Sequence, residues 1–284
     1  MPADELDNIH DLTQRLLIAE MRVIDGLIHS LESSKTQRSA DEQVIIDTIL
    51  LMLQSMGVSL HSITKLTSTV EMSVKDCFSI SRNVVESAIN VAYIATSNVE
   101  IAERARAHAL QKRFRDLSRS GVIAGICISV GQDNPPTIDS IQGLQDALEL
   151  FTDKNGKEIR DWSPATQNEK IAQVQLVSEQ AALLLAGAKF AIYRHSSEIL
   201  HGTYFGTIYF WTRDNGDLVT RDTFKEHWTN SLLMSVFTGA FFGSLGAISA
   251  CAKRFNLPNT LEQVTHLRSE LESHLQSNNE GAKD

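Results

Sequence analysis

The chain has 284 residues and a formal net charge of −9, with 26 Lys and Arg residues against 35 Asp and Glu. This length is enough to bury a large core, in one large domain or two small ones. The acidic balance excludes a molecule that binds nucleic acid over its whole surface, so any such binding requires a local basic surface.

The three cysteines, Cys77, Cys127 and Cys251, are odd in number and widely spaced. The sequence has no CxxC pair and no cysteine–histidine spacing of the kind that binds zinc. We therefore predict no disulfide framework, no metal site and no cofactor, and thiols of this kind suit the reducing cytoplasm. The first ten residues, MPADELDNIH, are acidic and lack an apolar run, so we predict no signal peptide.

Residues 1–70 are predicted to form an N-terminal helical hairpin. Apolar residues recur there every three or four positions, as one face of a helix requires. The polar stretch SSKTQRSAD separates the two helices, and either Ser39 or Asp41 is placed to cap the second.

Residues 71–276 are predicted to form a larger helical domain, followed by a disordered tail at 277–284. The fold class is therefore an all-α bundle of long helices. The predicted helices run from a Ser73 cap to about Thr96, from an Asn98 cap to about Val130, and over 138–152, 167–201, 221–253 and 259–276. Two apolar stretches, GVIAGICISVG and TYFGTIYFW, are the places where a strand is conceivable.

The stretch from Trp228 to Ala252 contains no charged residue and is long enough to cross a bilayer. It holds Gly239 and Gly243 at GxxxG spacing, a pattern found where helices pack closely. Its many Ser, Thr and Gly residues make its hydropathy borderline. We favour a buried central helix and consider a membrane span the less favoured alternative.

A polar stripe lies near the end of the predicted helix 167–201, in the segment AIYRHSSEILHG. Arg194, Glu198 and His201 share one helix face, since residues four and seven apart lie one and two turns apart. The opposite face carries apolar residues suited to a core: Leu185, Ala188, Ile192 and Ile199.

A second polar stripe interrupts an apolar helix in SRNVVESAINVAYIA, where Arg82, Glu86 and Asn90 are four residues apart. Charges in such surroundings require pairing and further hydrogen bonds, because burying them is costly. The two stripes are expected to face each other, with Arg82 and Glu86 orienting Arg194 or His201.

Arg194 is followed directly by His195, and six residues separate Arg194 from His201. This arrangement resembles the HEPN superfamily, in which an arginine precedes a histidine near the end of a long helix. The pair RNVVE and YRHSSEILHG also resembles an uncharacterised bacterial all-helical family, with RxxxE on one helix and SxxxH on a later one. Ser197 and His201 match the latter motif. The resemblance covers about residues 70–210.

The resemblance implies a HEPN-like homodimer with both Arg/His sets in a shared cleft, and metal-independent RNA cleavage that yields a 2′,3′-cyclic phosphate. His201 would be the general acid or base and Arg194 would stabilise the phosphorane. His195 would position phosphate or share the proton transfer. The implied supporting residues are Arg82, Glu86, Ser197 and Glu198. The implied setting is a cytoplasmic toxin or phage-defence effector, with an antitoxin or defence protein as partner.

A predicted helix face carries the concentrated positive charge of this acidic chain. Its residues step by three or four: Arg104, His108, Lys112, Arg115 and Arg119. This face is a candidate for tracking an RNA backbone. The alternative is a solvated helix face whose charge is balanced by Glu100, Glu103 and Asp116.

A non-catalytic function is the second hypothesis: an all-helical module that binds a protein or small ligand through the same polar pocket. Arg194 and Glu198 also fit an ordinary ion pair, and Gly202 fits a glycine that ends a helix. The two hypotheses differ in whether Arg194 and His201 face an open cleft or are sealed within the core.

Overall fold

The structure, a computed structural model, describes residues 3–69, 71–117, 119–131, 136–213, 216–220 and 223–281. This part of the chain is an all-α bundle with one small β-hairpin, which confirms the predicted fold class. Its helices are α1 (Ala3–Ser34), α2 (Ala40–Leu66), α3 (Val74–Thr96), α4 (Val99–Asp116), α5 (Leu144–Leu150), α6 (Gln167–Gln175), α7 (Glu179–Leu200), α8 (Tyr204–Trp211), α9 (Phe224–His227), α10 (Met234–Arg254) and α11 (Pro258–Gly281).

The predicted N-terminal hairpin is formed by α1 and α2, which pack against each other. Ser39 is the cap, since its hydroxyl accepts the backbone N–H of Glu42 at 3.2 Å. The hairpin shares a continuous apolar core with the other helices. The Arg38 guanidinium donates to the carbonyl of Phe255 at 2.8 Å, which ties the hairpin to the end of α10.

The uncharged stretch forms the central helix of the bundle. Helix α10 packs against α3, α7, α1 and α11. Within its most apolar stretch of 18 residues, 78% of the residues are buried, as the buried-helix interpretation predicted. Both α2 and α10 are long and apolar enough to cross a membrane, but a helix in the core of a protein can have the same length and composition. The predicted helix 221–253 is borne out from Phe224 onward, with a π-helical segment at Trp228–Leu233 that joins α9 to α10 without a break in the helical backbone. Residues 221 and 222 lie outside the described residues.

The fourth helix ends at Asp116 rather than near Val130, which corrects the prediction. The stretch GVIAGICISVG instead forms an antiparallel hairpin of β1 (Ser120–Ile123) and β2 (Ile126–Ser129). Ala124 and Gly125 make its turn at positive φ values of 51° and 81°, as a two-residue type I′ turn requires. The other candidate strand, TYFGTIYFW, is mostly helix α8.

The predicted long helix 167–201 is two helices. Helix α6 begins at a Thr166–Glu169 capping box. The Ser178 hydroxyl accepts the N–H of Ala181 and starts α7 afresh. Gly202 follows α7 at φ +62°, as a terminating glycine should.

Four further boundaries or caps differ from prediction. Ser73 donates its hydroxyl to the carbonyl of Leu66 instead of capping α3, and Asn98 donates to Glu100 instead of capping α4. The helix predicted over 138–152 is a 3₁₀ turn followed by α5. Helix α11 continues to Gly281 instead of ending at 276, and residues 282–284 of the predicted tail lie outside the described residues.

Candidate functional site

Helix α7 presents Arg194 and His201 on its open side, since both residues are exposed. Within the described part of the chain, neither side chain makes a hydrogen bond or an ion pair. His201 is the C-cap and keeps helical dihedral angles (φ −81°, ψ 0°), so it continues the face that carries Arg194. The two residues are about 10 Å apart along the helix axis. The predicted core face of α7 is buried: Leu185, Ala188, Ile192 and Ile199.

The expected Arg194–Glu198 ion pair is not formed. The Glu198 carboxylate instead accepts the hydroxyl of Thr203 at 2.7 Å, and that hydroxyl accepts the N–H of Gly206 at 3.1 Å. Glu198 therefore holds the corner between α7 and α8 in place and does not bind Arg194. Ser197 is half-buried one turn before His201, and its carbonyl accepts the backbone N–H of His201 at 3.0 Å.

His195 lies beneath the aromatic residues of α8. Its imidazole stacks on Tyr209 with ring centroids 4.0 Å apart and planes within 6°. Phe205 lies beside this pair, with its ring centroid 6.5 Å from each of the two rings. Burial lowers the pKa of His195, and the nearby charge of Arg194 lowers it further. Both effects favour the neutral form of the imidazole, which stacks on Tyr209.

The second stripe contacts Tyr193, the chain neighbour of Arg194, and makes no hydrogen bond to Arg194 or His201 themselves. Glu86 Oε1 accepts Arg82 Nε and the Tyr193 hydroxyl, each at 2.9 Å. The Arg82 guanidinium also lies 4.4 Å from the Tyr193 ring centroid. Burial opposes the charge of Arg82, but the hydrogen bond and charge of Glu86 outweigh it and raise the pKa of Arg82.

Asn90 extends this stripe to a lysine that the sequence did not reveal. The Lys170 ammonium donates to Asn90 Oδ1 at 2.8 Å and lies 4.4 Å from the Trp162 ring centroid. Lys170 is only 7% exposed. Burial lowers its pKa, while the charges of Asp161 and Glu86 oppose that shift. The contact joins residues 80 positions apart, so no local pattern predicts it.

A groove of about 820 Å³ runs between α6 and α7 beside Arg194. Its walls are largely apolar, with Ile171 and Ala172 from α6 and Phe190 from α7. Phe190 is 92% exposed. Tyr193, Arg194 and His195 line the same groove, which places the polar stripe at its edge.

The predicted basic face anchors a loop of the same chain. Four of its residues contact the segment 152–162: Arg104 donates to the Trp162 carbonyl (2.8 Å), His108 Nε2 lies 2.9 Å from the Arg160 carbonyl, Lys112 pairs with Glu158 (2.7 Å) and Arg115 donates to the Thr152 hydroxyl (2.7 Å). Arg119 is exposed at the base of the β-hairpin. Four of the five side chains on this face therefore have partners within the same chain.

Metal-binding geometry is not found in the part of the chain that the structure describes, where no three His, Cys, Asp or Glu residues cluster suitably. Cys77 and Cys251 are buried, and burial raises the pKa of each thiol to about 12. Cys127 is exposed on β2.

Comparison with protein-family models found no match, and comparisons with curated proteins and with solved structures found none.

Replacing Glu86 with alanine is expected to lower the free energy of unfolding by about 1–3 kcal/mol, because Arg82 and Tyr193 both lose their acceptor in a half-buried setting. Urea unfolding measures the change. The control is Glu272→Ala, which breaks an Arg–Glu pair of the same spacing on α11 that is more exposed. That change should stay within about 0.5 kcal/mol. Equal losses in the two variants would contradict a structural role for the Glu86 cluster.

Proposed function

We propose that the protein is a metal-independent endoribonuclease whose reactive residues are Arg194 and His201. One observation carries the proposal: both side chains share one face of α7 and are exposed, with no hydrogen-bonding or ionic partner among the described residues. A structural Arg and His pair would instead be sealed and paired inside the core. The resemblance of the segment from Arg194 to His201 to the HEPN motif supports the same function.

The proposed chemistry uses the RNA's own 2′-hydroxyl as nucleophile. The 2′-oxygen attacks the adjacent phosphorus, the bond to the 5′-oxygen breaks, and the products are a 2′,3′-cyclic phosphate and a 5′-hydroxyl. His201 makes one of the two proton transfers, taking the proton from the 2′-hydroxyl or giving one to the leaving 5′-oxygen, and water or His195 makes the other. Arg194 binds the charge that builds up on the phosphorane with its planar set of N–H donors.

The geometry of α7 supports this division of roles. Side chains on a helix lean toward its N-terminus, so the His201 imidazole leans back toward Arg194. The Arg82–Glu86 pair supports Arg194 indirectly by fixing Tyr193, its neighbour in the chain. His195, held against Tyr209, positions the phosphate or shares the proton transfer. A toxin or phage-defence effector in the cytoplasm, restrained by an antitoxin or defence partner, is the setting we propose for this activity.

Cleavage of total RNA and transfer RNA in the presence of EDTA tests the proposal. The wild type is expected to cleave RNA and leave 2′,3′-cyclic phosphate ends, and His201→Ala is expected to lower the rate about 10²–10⁴-fold. The matched control is His61→Ala, which removes an exposed histidine of α2 and should keep the wild-type rate.

Two results would contradict the proposal. Cleavage that persists in a folded His201→Ala protein would place the activity elsewhere. Absence of cleavage by the wild type would favour the alternative function, a helical module that binds a protein or small ligand at the α6–α7 groove.

A further inference from the structure

One exposed face of α7 carries a regular stripe of residues. Glu179, Leu183, Ala186, Phe190 and Arg194 follow one another at intervals of four, three, four and four, so they lie within one narrow arc of the helix. All five are exposed, and Leu183 and Phe190 are 73% and 92% exposed. Large apolar side chains so exposed, in line on one helix, are typical of an interaction surface.

The stripe on one copy of α7 is complementary to the same stripe on a second, antiparallel copy. Its midpoint falls between Ala186 and Gly187. Leu183 and Phe190 are equally distant from that midpoint, and so are Glu179 and Arg194. In an antiparallel helix pair about a two-fold axis, residues equally distant from the axis lie opposite each other. Each apolar side chain therefore meets an apolar side chain, and each charge meets the opposite charge.

We propose that α7 packs antiparallel against α7 of a second copy of this chain, with the two-fold axis at Ala186 and Gly187. Leu183 of each subunit contacts Phe190 of the partner subunit beside the α6–α7 groove. Glu179 of each subunit pairs with Arg194 of the partner subunit. Within the described residues neither Glu179 nor Arg194 has an ion-pair partner in its own subunit, so both charges are available for this pairing.

The centre of the stripe allows the helices to approach closely. Ala186 has a small side chain and Gly187 has none, and a Cβ built at Gly187 would meet nothing within 4 Å. Interaxial distances of helix pairs depend on the side chains at the contact, and small ones permit the lower end of the range. The larger residues then lie on either side of the axis, where the helices diverge.

This pairing departs from the shared cleft that the family resemblance implies. The two Arg194 residues would lie about 22 Å apart along the helix axis and the two His201 residues about 43 Å apart. Each subunit therefore keeps its own Arg/His set. Arg194 has five N–H donors, so a partner carboxylate that takes one edge leaves others for a phosphate. The inference concerns assembly alone and does not rest on the proposed cleavage.

Sedimentation velocity of the full chain is the first test. The wild type is expected to be a dimer at concentrations of about 100 μM, and Phe190→Glu is expected to be a folded monomer. The matched control is Leu51→Glu, which alters an exposed leucine of α2 and should leave the dimer intact. A monomeric wild type, or a Phe190→Glu protein that remains dimeric, would overturn the proposal.

Disulfide cross-linking tests the antiparallel register. In a Cys127→Ser background, Gly187→Cys lies beside the proposed axis and should form a linked dimer on mild oxidation. Leu183→Cys should not, because its counterpart would face Phe190. In a parallel pair, the Leu183→Cys variant would instead form a disulfide between the two copies of residue 183. That result would contradict the antiparallel register.

Charge reversal tests the ionic contact. Arg194→Glu is expected to weaken dimerisation about tenfold, and adding Glu179→Arg should restore it. No RNA enters any of these measurements, so their outcome is separate from the outcome of the cleavage assay. A double variant no tighter than Arg194→Glu alone would show that the two residues do not meet.

Discussion

Gly239→Ala is expected to lower the free energy of unfolding by about 1–3 kcal/mol, because α10 has no room for a methyl group where it crosses α3 and α7. A Cβ at Gly239 would lie 2.8 Å from the Cβ of Ile192 and 2.8 Å from the hydroxyl of Ser81. Both residues are fully buried, and the Ser81 hydroxyl is held by the carbonyl of Val236 at 2.8 Å. The three helices must therefore separate to admit the methyl group.

Urea unfolding of Gly239→Ala beside Gly57→Ala isolates this effect. Gly57 lies within α2, and a Cβ there would make one ordinary contact, 3.9 Å from Ile24. Gly57→Ala is therefore expected to raise the free energy of unfolding by about 0.5–1 kcal/mol, because alanine loses less backbone entropy in a helix. Two changes of the same sign would show that α10 is not packed as closely as the structure places it.

The sequence predicts those parts of the fold that depend on residues near one another in the chain, and it predicts less well those that depend on contacts between distant residues. The helix-forming pattern of α1, α2 and α3 is local and correctly predicted these elements. The break between α6 and α7 was missed because the Ala- and Leu-rich stretch contains neither proline nor a glycine at that point. The local signal that was overlooked is Ser178, whose hydroxyl accepts the N–H of Ala181 and caps α7.

For the β-hairpin at GVIAGICISVG, the sequence predicts a longer fourth helix, with a strand only as the alternative, for a different reason. A short apolar run fits a buried helix as well as a strand. Its turn uses Ala124 before Gly125 instead of the usual Asn-Gly, so the strongest local signal for a hairpin is absent.

In the candidate site, too, features within one helix were predicted and contacts between distant residues were not. The two polar stripes were visible because each depends on spacing within one helix. Their partners were not, since Glu86 and Tyr193 are 107 positions apart. The face that carries Lys112 illustrates the opposite error: a run of basic residues indicates charge, but not that Glu158 returns to neutralise it.

One buried group affects stability without belonging to the proposed site. Glu20 of α1 is fully buried against α10, and neither carboxylate oxygen has a hydrogen-bond partner among the described residues. The Ser244 hydroxyl and the Leu245 backbone lie close enough to act on the pKa of Glu20, but the Ser244 hydroxyl donates to the carbonyl of Ala240 at 2.6 Å. Burial raises the pKa of Glu20 well above its ordinary value, and the two neighbours oppose that rise only in part.

Glu20→Met is expected to raise the free energy of unfolding at pH 7 by about 1–3 kcal/mol, because it removes a buried polar group without a partner at nearly constant volume. The gain should depend on pH in a defined direction. A glutamate in the unfolded chain loses its proton near pH 4.3, whereas Glu20 in the folded protein holds its proton to higher pH. Wild-type stability therefore falls as the pH rises above about 4.3, until the raised pKa is passed.

The Met variant has no carboxyl group to titrate at this position, so its free energy of unfolding should not fall over this pH range. Urea unfolding of both proteins at several values from about pH 4 to pH 8 should give a difference that is smallest in acid and widens toward neutral pH. Glu262→Met, at an exposed position on α11, is the control and should show no comparable pH dependence. A Glu20→Met difference that stays constant with pH would mean that the carboxyl group is solvated in the folded protein, and that α1 does not seal it against α10.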